Sequence, residues 1–235
     1  MLSVARDVWL LRNTAYRSKP VGFRTFVLSK EFLGLGDTAY RALVAIGEEV
    51  EKRGTKEVVI LAGIGSGKSF FAQIFSLYMV HLLLCLKDPH QYFHLANDKP
   101  ITVINMGTSH LQAKRVIFRG ISTLFQQCPW FQQFESHVLA TSIAIENNRI
   151  ELVFGNSKEE TPLGMNVVCA ILDEAAFYLD NEEKSVAENI YNSLRGRITS
   201  RFGNLGSLIM IWILLSCIGR IVFKRASVWR GDYYQ

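Results

Sequence analysis

Two short stretches carry residues that could handle phosphate. The first is Ala62-Gly63-Ile64-Gly65-Ser66-Gly67-Lys68-Ser69, which follows the apolar run Val58-Val59-Ile60-Leu61. Glycines let a backbone curl with its N–H groups turned inward, and a helix opening near Gly67 adds the positive end of its dipole. A loop of this kind wraps the phosphates of ATP with positions 62–69. The Lys68 ammonium reaches the β- and γ-phosphates, and the Ser69 hydroxyl is offered to Mg2+. The strict pattern begins with glycine and this chain has Ala62, so the match is to the relaxed form of the motif.

The second stretch is Val167-Val168-Cys169-Ala170-Ile171-Leu172, an unbroken apolar run ending in Asp173-Glu174. Such a run suits a strand covered on both faces. In open α/β sheets ligands gather at the carboxyl ends of strands, which would set both acids beside the glycine-rich loop. Asp173 suits Mg2+, directly or through water, and Glu174 suits the water that attacks the γ-phosphate. Further on, Arg195-Gly196-Arg197-Ile198-Thr199-Ser200-Arg201 places three arginines after a helical pattern. Arg195, Arg197 or Arg201 could neutralise transition-state charge or sense the γ-phosphate; a solvated basic turn is the alternative.

These residues need elements to hold them. The run 69–86 is long, mostly apolar and free of proline and glycine, which predicts a helix packed on a sheet. A second strand is expected at 101–106, followed by Gly107-Thr108-Ser109-His110 and a helix over 111–127. Repetition of strand, polar turn and helix predicts a mostly parallel sheet. Ser109, Gln112 and Lys114 could touch phosphate there, although an ordinary helix start explains them equally well. Alternation through Ile143, Ile145, Ile150, Leu152 and Phe154 around Asn147-Asn148 predicts a hairpin. Helical spacing runs from residue 37 to Gly54, another helix is expected over 181–194, and a strand over 207–211.

The 235 residues suffice for one α/β domain. Hydrophobic residues make up 49% and charged residues 20%, which excludes a disordered chain. The net charge of +5 permits a polyanionic partner. Cys85, Cys128, Cys169 and Cys217 are too scattered for a metal-ligand pattern and read as buried thiols. The N-terminus has no secretory signal pattern. The uncharged run 202–219 reaches the minimum length of a membrane span, but Gly and Asn at its start favour a core strand.

With both motifs placed, the chain resembles the ATPase domain of phage terminase large subunits. The resemblance rests on 62–69, on Gly107-Thr108-Ser109 with Gln112-Ala113, on Leu172-Asp173-Glu174-Ala175-Ala176-Phe177, and on 193–203 with the apolar strand after it. It implies a P-loop NTPase with a RecA-like three-layer sandwich, using ATP and Mg2+ to drive double-stranded DNA into a capsid. It also implies a homo-oligomeric ring, a portal protein and a small terminase subunit as partners, no membrane, and action in the host cytoplasm at the procapsid portal. On this reading residues 1–35 form an N-terminal segment and 36–211 the ATPase domain. Residues 212–235 form an atypical tail where a coupling motif and nuclease would be expected, as a frameshift or an intron or intein boundary near 211 would produce. Two alternatives stand beside the motor: a helicase-like nucleic-acid-dependent ATPase, and a nucleotide-binding remnant without turnover.

Overall fold

A computed structural model describes residues 15–36, 39, 41–53, 56–63, 65–107, 117–156, 164–173, 185–203, 205–213 and 220–224. In chain order the elements are α1 (Phe23–Leu28), α2 (Arg41–Arg53), β1 (Glu57–Ala62), α3 (Lys68–Leu84), the single turn α4 (Pro89–Tyr92), β2 (Ile101–Gly107) and α5 (Arg119–Gln127). A 3-10 turn at Pro129–Gln133 precedes β3 (Ser136–Val138), β4 (Ser142–Ile145), β5 (Ile150–Asn156) and β6 (Asn166–Asp173). The last are α6 (Ser185–Phe202), β7 (Ser207–Ile213) and β8 (Arg220–Lys224).

The strands form one sheet in the order β3-β4-β5-β2-β6-β7-β1-β8. Its five inner strands, β5, β2, β6, β7 and β1, run parallel, and β3, β4 and β8 are antiparallel additions. All seven residues of β2 and all eight of β6 are buried, as strands covered by helices on both faces must be. The expected hairpin is β4–β5, turning at 146–149. The uncharged run is not a membrane helix, because its residues 207–213 are the strand β7 between β6 and β1. Among the described residues no helix is long and apolar enough to cross a membrane.

The larger core lies between the sheet and α1, α2, α3 and α5. Helix α3 is at its centre: Phe71, Phe75, Leu77, Tyr78 and Leu83 are each no more than 3% exposed. Phe23 of α1 packs on Phe71, Phe75 and Tyr78, and its ring lies where a Cβ on Gly47 of α2 would stand, so glycine there permits the close approach. Glu51 of α2 ties the three helices by accepting from Phe23 N at 2.9 Å and from the Tyr78 hydroxyl at 3.0 Å. Burial and the neighbouring Glu51 carboxylate raise the Tyr78 phenol's pKa, so the phenol stays protonated as the donor. The second core, on the other face, is closed by Leu194 and Ile198 of α6 over Ile104, Leu172 and Leu208.

Of residues 1–35, the described part contributes Phe23, Phe26, Val27 and Phe32 to the main core. The chain beyond 211 also builds into the sheet, with β7 continuing to Ile213 and β8 pairing along β1 from Glu57↔Lys224 to Leu61↔Arg220. Cys85, Cys128 and Cys169 are buried free thiols, and Cys217 lies outside the described residues.

Replacing Phe23 by alanine should remove the wedge between three helices and lower stability by about 3–5 kcal/mol in urea unfolding. A second test concerns His81, which is 1% exposed and accepts from Val21 N through Nε2 at 3.2 Å. Burial lowers its pKa from 6.5 to about 4, so it is neutral in the fold and gains a proton more readily when unfolded. Its contribution is therefore complete above pH 6.5 and is lost as pH falls towards 4. Thermal unfolding between these limits should show the loss, and His81→Leu should flatten that part of the profile.

Candidate active site

Strand β1 delivers the glycine-rich loop at its carboxyl end, and α3 begins directly after it. Gly65 and Gly67 have φ of 78° and 82°, the left-handed region that side-chain-bearing residues avoid. Gly67 is the N-cap of α3, and Phe71 N donates to its carbonyl at 2.9 Å. No side chain caps this helix start, leaving its first N–H groups available to an anion. A Cβ added at Gly63 or Gly65 would meet nothing within 4 Å, so the space beside both glycines is open. Lys68 occupies the first turn of α3 and its Nζ donates to Gly63 O at 3.1 Å, bending the ammonium back over the loop. Ser69 follows it on the same helix, and Ser66 N donates to Gly63 O at 3.4 Å across the turn.

The acid arrives on β6. Asp173 is its last residue and is 8% exposed. It pairs with Ile211 of β7, and Ile211 pairs with Ile60 of β1, so Asp173 lies level with Ile60 near the carboxyl end of the loop-bearing strand. One strand intervenes, placing Asp173 about 10 Å across the sheet from β1. Among the described residues no group of three or more His, Cys, Asp and Glu could hold a metal alone. Mg2+ does not need one, since it binds through one or two carboxylates and completes its shell with phosphate and water. The residues present therefore fit a magnesium nucleotide: an open left-handed loop, a lysine over it, a hydroxyl-bearing residue in the first helical turn, and a buried acid level with the strand end.

Ile64 and Glu174 lie outside the described residues, as do Ser109, Gln112 and Lys114. Ala62 closes β1.

The arginines are not beside this site. Helix α6 carries the chain from the Asp173 end of the sheet back to its opposite edge, and extends to Phe202 instead of ending before Arg195. Leu194, Ile198 and Phe202, four apart, are its buried stripe, and Gly203 at φ 51° terminates it. Arg195 Nε donates to Glu57 Oε1 at 2.5 Å, and the Tyr191 hydroxyl donates to Glu57 Oε2 at 2.8 Å. Glu57 opens β1, roughly 17 Å along the strand from Ala62. Arg201 donates to Asn166 Oδ1, at the amino end of β6. Arg197 sits between them on the same helix. All three are thus at the base of the sheet, away from the loop of their own chain. Glu57 was missed as a functional partner, since an acid starting an apolar strand has no distinctive spacing.

Residues 9–214 match the family model described as "Uncharacterized protein MJ0330, N-terminal P-loop domain". The chain belongs to this P-loop family. No curated relative matches. Among solved structures this P-loop domain is similar to the large terminase ATPase domain of Thermus phage P74-26, with TM-score 0.51 and 17% identity over 83% of this chain and 70% of that one. It is also similar to the HK97 bacteriophage large terminase, with TM-score 0.50 and 16% identity over 74% of this chain. The match spans 33% of the HK97 protein's length. At these identities the likeness establishes the shared fold, a mostly parallel P-loop sheet between helical layers.

If Arg195 holds β1 to α6 and does not serve the nucleotide, Arg195→Met should lower stability by about 1–3 kcal/mol, because it leaves the Glu57 carboxylate, 7% exposed, without its cation. Nucleotide affinity, measured by calorimetry below the unfolding temperature, should stay unchanged.

Proposed function

We propose that the chain is an ATP-hydrolysing motor domain of the kind found in phage DNA-packaging terminases, coupling turnover to movement along double-stranded DNA. The observation that carries the nucleotide part is the alignment of the open loop at 63–69 with buried Asp173, one strand apart at the same end of the sheet. Positions 62–69 hold the triphosphate, Lys68 neutralises its outer phosphates, and Ser69 and Asp173 hold Mg2+. When bound, the cation withdraws negative charge from the phosphates and so eases attack on the terminal one. Glu174, next after Asp173, is assigned to orienting and polarising the attacking water.

The motor part is supported by the fold shared with two terminases and by the net charge of +5, which favours a polyanionic track. A homo-oligomeric ring working with a portal protein and a small subunit at the procapsid, in the host cytoplasm, follows from the same reading. In such a ring, an arginine acting on phosphate would be supplied from the base of one subunit to its neighbour's loop, since none of Arg195, Arg197 and Arg201 is placed at its own.

The test is Mg2+-dependent ATP hydrolysis by the full chain, with and without duplex DNA. Lys68→Ala and Asp173→Asn should each reduce turnover by about 100-fold or more while leaving the fold intact. DNA should raise turnover of the unaltered chain. Equal turnover in Lys68→Ala would overturn the assignment of the loop. ATP binding without hydrolysis in the unaltered chain would instead identify a nucleotide-binding domain that does not turn over.

A further inference from the structure

A cavity of about 790 Å³ opens at the base of the sheet, against the amino ends of β2 and β6 and the last turns of α6. Its volume falls within the range of small-ligand sites. Among the described residues, Lys99, Arg197 and Arg201 line it with Asp98 as the one carboxylate, so positive charge prevails among them. Phe93 and Leu95 supply an apolar wall. The site lies at the opposite end of the strands from the glycine-rich loop and does not rest on the nucleotide reading.

Three features show a built cavity instead of a loose surface crease. The loop between α4 and β2 is fixed from several sides: Arg149 Nη1 donates to Asn97 O at 3.0 Å, His90 Nε2 lies 2.9 Å from Lys99 O, and Asn166 Nδ2 donates to the same carbonyl at 3.3 Å. His94, in this loop, is held at φ 54°, a left-handed conformation that a residue with a side chain keeps only when its surroundings enforce it. Two of the cations already have neutral partners that aim them: Lys99 Nζ donates to Gly164 O at 3.1 Å, and Arg201 donates to Asn166 Oδ1. Neither pairing neutralises charge. The Arg197 guanidinium has no partner among the described residues.

We propose that this cavity binds a phosphate group, with Arg197 as its principal ligand, Lys99 and Arg201 completing the cationic wall, and Phe93 and Leu95 accommodating the apolar part of the phosphorylated molecule. A guanidinium forks onto two phosphate oxygens, and a lysine at the same cavity adds a point charge without competing for that geometry. The shared chemistry is a phosphate oxygen pair, carried by either the backbone of a nucleic acid or a free phosphorylated molecule.

The experiment titrates inorganic pyrophosphate and, separately, a short DNA duplex into the full chain carrying Lys68→Ala, which removes the cation of the glycine-rich loop. The same titrations use Lys68→Ala combined with Arg197→Glu. Loss of a charged hydrogen-bond donor should weaken binding by about 10–100-fold. For the duplex it should also reduce the salt dependence by about one phosphate contact. Arg197→Lys should recover part of the affinity. Because Arg197 has no partner to lose among the described residues, thermal unfolding of these variants should match the parent; Arg197→Gln supplies a second variant free of the added carboxylate. Duplex binding that depends on Arg197 assigns the cavity to nucleic-acid backbone, and dependence for pyrophosphate alone assigns it to a free phosphate ligand. Equal affinity with and without Arg197, or no binding of either probe to the Lys68→Ala chain, overturns the proposal.

Discussion

The enclosure of α3 is the constraint on which the rest depends. This helix starts at the phosphate loop, and 13 of its 17 residues are buried, including polar Gln73, Ser76 and His81. A helix apolar around nearly its whole circumference cannot lie on a sheet with one side in water. It must be roofed, and α1, α2 and α5 form the roof. Ser76 hydroxyl donates to Ala72 O and accepts from Asn105 Nδ2 at 2.8 Å, which sets the helix against β2 along its axis. Hydrophobic burial thus supplies the force and a few internal hydrogen bonds the register. The loop inherits its position from both, because Lys68 and Ser69 are already part of that helix.

The sheet then separates two chemistries by the length of its strands. At the carboxyl ends stand the open loop, Lys68 and Asp173; at the amino ends stand Glu57, Arg195, Arg201, Lys99 and Arg197. Parallel strands impose this polarity, since every crossover helix must return the chain to the starting edge. Helix α6 makes that return between β6 and β7, and its arginines fall at the far edge because they belong to its last two turns. Glu57 is buried there in company with a guanidinium and a phenol, so a charge that would be costly alone is matched.

How much of this was legible follows from where sequence order and spatial order coincide. The glycine-rich loop, α3, β2, the β4–β5 hairpin and β6 could be read because each is local: a run of apolar residues with its own punctuation. Asp173 was placed correctly at a strand end for the same reason. The end of α6 was misjudged because Gly196, Thr199 and Ser200 are poor helix formers, while the spacing of Leu194, Ile198 and Phe202 was the stronger signal. The place of Arg195 at the base of the sheet is not legible in the sequence, because its partner is 138 positions away and no local pattern announces Glu57. The six residues of α1 give too little periodicity to reveal that Phe23 and Phe26 belong to the core. Strand β8 was invisible for a related reason, since it is specified by pairing with β1 more than by its own composition.

The position of β1 in the sheet has a consequence for how the molecule comes into being. Both neighbours of β1 come from far along the sequence: Glu57 pairs with Leu208 on one side and Lys224 on the other. Contacts spanning about 150 residues carry a high closure cost and form late. During synthesis the strand bearing the loop waits, with both hydrogen-bonding edges open, until β7 and β8 have been made. The phosphate loop precedes most of the sheet in the sequence, yet its anchoring strand is completed by β7 and β8, so the loop's mounting is among the final things this sheet assembles.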